Sequence, residues 1–278
     1  MTDWRTTADP SAFEAAVGGL LRADPVRHTT QLTILDAFRR TGPHAYGLDD
    51  PLFGWLGEPE PVAAFLCTPG FPVLLTSVAD DDARALADTL PISPAGVNAE
   101  PSAAVEFAEA WRKRTGAASW PLMRQRLYRL GDLAPPPPPP GSARTATPAD
   151  ASRVLTWNAL FADEARGGVP PQTMIDRLRS GCVLLWEVDG EAVSMAARTP
   201  AVDGMTRVAP VYTPPEHRRR GYGAAVTAAL SRAALDEGVR DVVLFTDLAN
   251  PTTNAIYQAI GYRPVGDRLI LGFTEAAT

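Results

Sequence analysis

Residues 29–40, TTQLTILDAFRR, put Leu32, Leu35 and Phe38 on one helical stripe behind threonine capping candidates, and the pattern stops at Gly42-Pro43. That spacing predicts a helix. Short apolar runs follow between turn signals, Leu52–Leu56, Val62–Cys67 and Val73–Val78, the last behind Pro72. They predict a meander of strands. Residues 80–90 and 101–114 carry helical patterning, the second with Pro101 at its first position, and WPLMRQRLYRL at 120–130 alternates as a strand. Beyond residue 141 a similar order recurs. Helices are predicted over 152–166 and 171–179, strands over 182–188, 191–198 and 206–213, a helix over 223–237, a strand over 241–247, a helix over 252–260 and a closing strand over 265–273. The halves show no sequence identity, so the shared order of elements alone suggests related folds.

Length and proline content locate the division. The 278 residues suit about two domains, and six of the 27 prolines form one block, Pro135–Pro140. We read a first domain over 1–134, a proline-rich linker over 135–141 and a second domain over 142–278. A polyproline II segment rises about 3.1 Å per residue, which makes the block a stiff spacer of roughly 20 Å. A recruitment site for a proline-binding domain is the sharper alternative.

Charge narrows the partners. With 26 Lys+Arg against 32 Asp+Glu and a net charge of −6, no general nucleic-acid or anionic-membrane surface is expected. Lys113 is the only lysine, so an anion site should use guanidinium or backbone N–H groups. The start lacks a signal-peptide pattern and no apolar run reaches membrane-spanning length, which predicts a cytoplasmic protein. Cys67 and Cys182 and the three histidines share no metal-ligand spacing, and no metal is expected.

The chemistry concentrates in 206–238, where an apolar strand runs into a proline-rich turn, an Arg/Gly loop and a helix ended by Gly238. The first N–H groups of a helix lack intrahelical partners and sit at the positive end of its dipole. Gly221 and Gly223 let a phosphate approach them. The loop is neither a dinucleotide fingerprint nor GxxxxGK[ST]; it reads R-x-x-G-x-G, Arg218 to Gly223, after the turn Pro215-Glu216-His217-Arg218. This resembles the acetyl-CoA loop of the GNAT superfamily of N-acetyltransferases. Residues 245–264, FTDLANPTTNAIYQAIGYRP, resemble that family's next strand, its Asn-containing turn and its short Tyr-bearing helix ending in Gly-Tyr, here Gly261-Tyr262.

The resemblance is specific over 205–264 and extends back to about 142. It implies a mixed α/β fold, a mostly antiparallel sheet with helices on both faces, with a degenerate copy of the same fold in the first half. It also implies that the fourth and fifth strands of the fold splay to admit the pantetheine arm, which suits a proline, Pro210, inside a strand. In the family manner, Val211, Tyr212 and Thr213 would meet the acetyl and pantetheine groups, with the N–H groups of Val211 and Thr213 as the donors. Arg218, Arg219, Arg220, Gly221, Tyr222, Gly223 and Ala224 would hold the pyrophosphate, and Asn254 the pantetheine chain.

Amide formation from acetyl-CoA, the co-substrate, needs a neutral amine, a donor for the developing oxyanion and a proton for the departing thiolate. The resemblance assigns the acid to Tyr257 and the oxyanion donor to the Val211 N–H. The family often keeps a glutamate on the fourth strand, but 206–213 contains no carboxylate. Glu164, following Trp157, Leu160 and Phe161 at helical spacing, is the candidate base, with burial expected to raise its pKa. A water chain, delivery of an already neutral amine, and His217 remain alternatives. Trp157, Phe161, Glu164 and the 165–172 loop are the expected acceptor contacts. The acceptor is expected to be a primary amine on a small molecule, with a peptide N-terminus or lysine as a second choice. A homodimer is a family-level expectation. Transfer of a longer acyl group and a non-catalytic acetyl-CoA-binding module are the competing functions.

Overall fold

The computed structural model describes residues 3–42, 50–68, 70–165 and 167–274. Pro43, which closes the first helical pattern, and Arg166, in the expected acceptor loop, lie outside the described residues. The chain forms two compact units. The first holds residues up to Leu127, with Asp247–Ala249 and the chain from Val265 onward; the second holds Tyr128–Thr246 and Asn250–Pro264. The proline run Pro135–Pro140 thus belongs to the second unit, and the chain's last strand crosses into the first.

In chain order the first half contains β1 (Trp4–Thr7), α1 (Pro10–Ala23), α2 (Thr29–Thr41), β2 (Leu52–Leu56), β3 (Ala63–Cys67), β4 (Val73–Leu75), α3 (Asp80–Thr89), β5 (Gly96–Ala99), α4 (Pro101–Thr115) and β6 (Ser119–Leu130). The second contains β7 (Ser142–Thr145), α5 (Ala151–Ala165), α6 (Pro171–Arg179), β8 (Val183–Val188), β9 (Glu191–Arg198), β10 (Met205–Tyr212), α7 (Tyr222–Asp236), β11 (Asp241–Asp247), α8 (Pro251–Ile260) and β12 (Tyr262–Phe273). Helices and strands alternate in the same order in both halves, βααβββαβαβ. The recurrence expected from the pattern is therefore a repeated fold.

Four elements escaped the pattern reading. α1 was legible: Asp9 accepts from the Ser11 N–H at 2.8 Å as an N-cap, Pro10 follows, and Phe13, Val17 and Leu21 are buried at helical spacing. β1, β5 and β7 have four residues each, too few to show alternation.

In each unit an antiparallel meander ends in a parallel pair. The first unit has β1–β2–β3–β4 with β5 parallel to β4, and residues 269–272 of β12 pair antiparallel with β5. The second unit has β7–β8–β9–β10 with β11 parallel to β10. Strand residues alternate between two apolar clusters in the second unit. Leu184, Trp186, Val193 and Ala196 face α7 and α8, while Val183, Leu185, Met195 and Ala197 face α5 and α6. Helices therefore cover both faces, each sealing one set of alternate side chains from water.

The proline run lies along its own unit instead of standing free. Gly131 N–H donates to Gly261 O at 3.1 Å and Ala134 N–H to Ile260 O at 2.8 Å. At the other end Trp186 Nε1 donates to Pro140 O at 2.9 Å.

Candidate functional site

The site begins where β10 and β11 part. Their parallel ladder runs from Met205↔Asp241 to Val208↔Leu244, while the strands continue to Tyr212 and Asp247. On the other edge of β10 the pairing with β9 shifts by one residue, Val208 standing opposite Arg198 but Val211 opposite Ala196. Pro210 sits in that irregularity, where a missing N–H costs no ladder bond. The buried Arg177 of α6 donates to Ala209 O from Nη1 and so holds the bulge. The bulge turns side chains over: Val208 and Val211 lie with the α7/α8 cluster, whereas Tyr212 lies with the α5/α6 cluster.

The Arg/Gly loop follows. Arg219 takes φ +64° and Gly221 φ +82°, so the chain makes two left-handed steps before α7. The first helical bond at its start is Ala225 N–H to Gly221 O at 3.0 Å. The N–H groups of Tyr222, Gly223 and Ala224 precede that ladder and are the helix's orphan donors. Arg219 and Arg220 are exposed, and among the described residues no carboxylate pairs with either. Gly223 approaches Thr213 closely, since a Cβ there would lie 3.3 Å from Thr213 Oγ1. Thr213 Oγ1 is fixed by Ser194 Oγ at 2.8 Å, and Ser194 also donates to Tyr212 O at 3.0 Å. Sequence reasoning missed Ser194, a serine with no motif around it.

Arg218 differs from its two neighbours. Its Nε donates to Thr213 O at 2.8 Å and its Nη2 to Glu164 at 2.7 and 2.8 Å. The guanidinium carbon stands 5.8 Å from the Tyr212 ring centre, and that ring packs at 6.1 Å against Trp157. The expected acceptor residues therefore meet the cofactor candidates Tyr212, Thr213 and Arg218 in one place, with Phe161 packed on the same cluster. Glu164 needs correction. Its side chain is 49% exposed and paired with Arg218, so the expected burial is absent. The α5 helix ends there, and its apolar stripe does not extend to Glu164.

Tyr257 is buried on α8, its ring 5.9 Å from that of Tyr262 in an edge arrangement. Tyr222, Val208 and Leu244 share its cluster. Burial pushes the Tyr257 phenol up to about 12, so it carries its proton throughout the neutral range. Asn254 is turned inward. Its Oδ1 accepts from the Tyr128 hydroxyl at 2.9 Å and its Nδ2 donates to Asn250 O at 2.8 Å. The Oδ1 end fastens α8 to Tyr128 near the end of β6, and the Nδ2 end closes on the N-cap of α8 itself. Tyr128, fully buried and also reached by Gln258 Nε2 at 3.1 Å, lies 126 positions away and gave no local signal.

The first unit fills the corresponding place differently. Asp80, Asp81 and Asp82 occupy the first turn of α3, so carboxylates complement that helix end and repel phosphate. Beyond the short β4–β5 ladder, Leu75 O accepts from Arg268 Nη2 at 2.8 Å and Gln31 Nε2 at 3.4 Å. Arg268 also donates to the Asn98 side chain and backbone at 2.7 and 2.6 Å. Side chains thus span the gap between those strands.

Among the described residues no group of three or more His, Cys, Asp or Glu could hold a metal ion, and no helix is long and apolar enough to cross a membrane.

Residues 152–262 match the family model described as the acetyltransferase (GNAT) family. Among solved structures, a GCN5-related N-acetyltransferase from Sphaerobacter thermophilus is similar over 98% of this chain and 95% of its own, at 15% identity and TM-score 0.62. A Drosophila protein is similar over 100% of both chains, at 13% identity and TM-score 0.71. A tandem GNAT protein from the clavulanic acid biosynthesis pathway is similar over 100% of this chain and 99% of its own, at 16% identity and TM-score 0.57. At these identities the likeness shows the fold, and it extends through the first unit.

Proposed function

We propose that this chain, whose residues 152–262 match the acetyltransferase (GNAT) family model, transfers the acetyl group of acetyl-CoA to a primary amine of a small molecule within a ternary complex. The observation that carries this reading is the parting of β10 from β11 beyond Val208↔Leu244, next to a helix start with free N–H groups and the exposed Arg219 and Arg220, which pair with no carboxylate among the described residues. An extended pantetheine arm would lie in the gap as an added strand, with its pyrophosphate on the amides of 219–224.

In this reading the amine nitrogen attacks the thioester carbon and a C–N bond forms. The carbonyl oxygen gains the negative charge, which the Val211 N–H receives; one such donor is typically worth about 3–4 kcal/mol. The C–S bond then breaks, and the thiolate takes the Tyr257 phenolic proton. The nitrogen loses its proton to water, because Glu164 is engaged with Arg218 and open to solvent. Glu164 would instead attract a cationic amine to the rings of Trp157 and Tyr212, and that amine must lose one proton to water before its nitrogen can attack and a second after the C–N bond forms. The tyrosine is restored by proton exchange with solvent.

Thiol release from acetyl-CoA across a panel of small primary amines tests the reading. Acceptor-dependent release is expected. Tight CoA binding without release on any amine would replace it by a non-catalytic acetyl-CoA-binding module.

The loop makes its own prediction. A valine at Gly221 must adopt φ +82°, a left-handed conformation costing about 1–2 kcal/mol for an L-residue. The free loop of Gly221→Val can shed that strain by leaving the left-handed turn, which ligand binding must then restore, so acetyl-CoA binding should weaken roughly tenfold, by the free-energy scale of 1.4 kcal/mol per decade. Calorimetric titration checks this, and an unchanged Kd would show that the amides of this turn do not contact the ligand.

A further inference from the structure

The proline run has a position and a periodicity that a spacer does not require. Leu133, Pro136 and Pro139 are half-buried, while residues 134, 135, 137, 138 and 140 are exposed. One residue in three is the repeat of a polyproline II helix, so one edge of the run rests on the unit and two edges face solvent. Between its tied ends the run passes the phosphate loop. A Cβ on Gly221 would lie 3.9 Å from Pro139 Cβ and 4.0 Å from its Cγ, with nothing else within 4 Å.

We propose that the run is the wall on which the adenosine end of coenzyme A rests, with the exposed rings of Pro137 and Pro138 as its apolar platform. The inference rests on the acetyl-CoA reading above. With the pyrophosphate on the amides of 219–224, the ribose and base leave the loop beside Gly221, where Pro139 stands. Pro137 and Pro138 lie within about 6 Å of Pro139 at the rise of this helix. Proline has no N–H to offer a phosphate, so the run presents only ring faces and carbonyl oxygens. That surface suits a purine face and its exocyclic amino group, and it leaves the phosphate to Arg219, Arg220 and the loop amides. The run is also pre-ordered by its anchors at Ala134 and Pro140, so little chain entropy is lost when a ligand settles on it.

The test compares two ligands on the full chain by calorimetry: coenzyme A, and 4′-phosphopantetheine, which lacks the adenosine end. In the double variant Pro137→Gly, Pro138→Gly, both positions being exposed, the CoA Kd should rise at least fivefold while the phosphopantetheine Kd stays within twofold. Equal weakening of both ligands would mean that the run merely supports the loop, and no change in either would mean that it does not touch the ligand; each result overturns the proposal. Thermal unfolding of the variant within about 2 °C of the parent excludes a folding defect. A parent protein that binds no CoA at all would overturn the coenzyme reading, and this inference with it, before any substitution is made.

Discussion

Tyr257→Phe is expected to lower kcat about 10²- to 10⁴-fold, the range for loss of a positioned general acid, while the KM for acetyl-CoA stays within about twofold. The substitution keeps the ring that packs against Tyr262 at 5.9 Å and removes only the phenolic proton. Among the described residues no hydrogen bond reaches that hydroxyl, so its loss leaves no buried partner unsatisfied and stability should barely change. The pH dependence carries an independent sign. Burial raises this phenol to about 12, and only its protonated form can serve the thiolate. Activity attributable to Tyr257 should therefore persist up to about pH 11 and fall only above it. Steady-state kinetics from pH 6 to 10 would sink the assignment by finding kcat within twofold of the parent in the phenylalanine variant.

Phe107→Ala should destabilise the first unit by about 3–5 kcal/mol, the usual cost of truncating a buried phenylalanine. Phe107 is 0% exposed and stacks with Trp111 at 6.3 Å and with Phe273 at 6.1 Å. α4 supplies two of these rings, while the third comes from the end of β12 and returns 166 positions later in the chain. Trp111 and Phe273 also stack on each other at 6.0 Å, so removing Phe107 leaves a cavity beside two mutually packed rigid aromatics that cannot collapse into it. Urea unfolding should show the loss directly, and Phe107→Leu should cost a fraction of it. A deficit under 1 kcal/mol would mean that the aromatic stack does not hold β12 in place. Since the phosphate loop lies in the other unit, CoA affinity of the alanine variant at low temperature should match the parent.

Local chemistry was the legible part of this chain. Capping residues, apolar spacing and terminal glycines locate α2, α3, α4, α7 and α8 because helices are specified by neighbours three and four positions apart. The R-x-x-G-x-G loop is legible for the same reason: a helix start, two glycines and three arginines are contiguous residues. Four-residue strands carried too little period to be read. Helical spacing gives the direction of the Glu164 side chain but not what waits there, and Arg218 waits there. Nothing around Asn254 in the sequence points to its partner Tyr128, which lies on another element.

The sequence by itself determined most of the order of elements and the strand, Arg/Gly loop and helix start on which the proposed phosphate site rests. Only the tertiary structure decided how those parts serve one another. The one-residue shift between Val208 and Val211 sends Tyr212 to the α5/α6 face and Val211 to the α7/α8 face, the reverse of what an unbroken alternation would give. Such a bulge depends on what β9, β11 and Arg177 offer β10 for pairing, and no residue of β10 encodes that alone. The proline run follows the same logic. Composition dictates a stiff, donor-free rod, and only the anchors at Gly261, Ile260 and Trp186 lay that rod beside the phosphate loop.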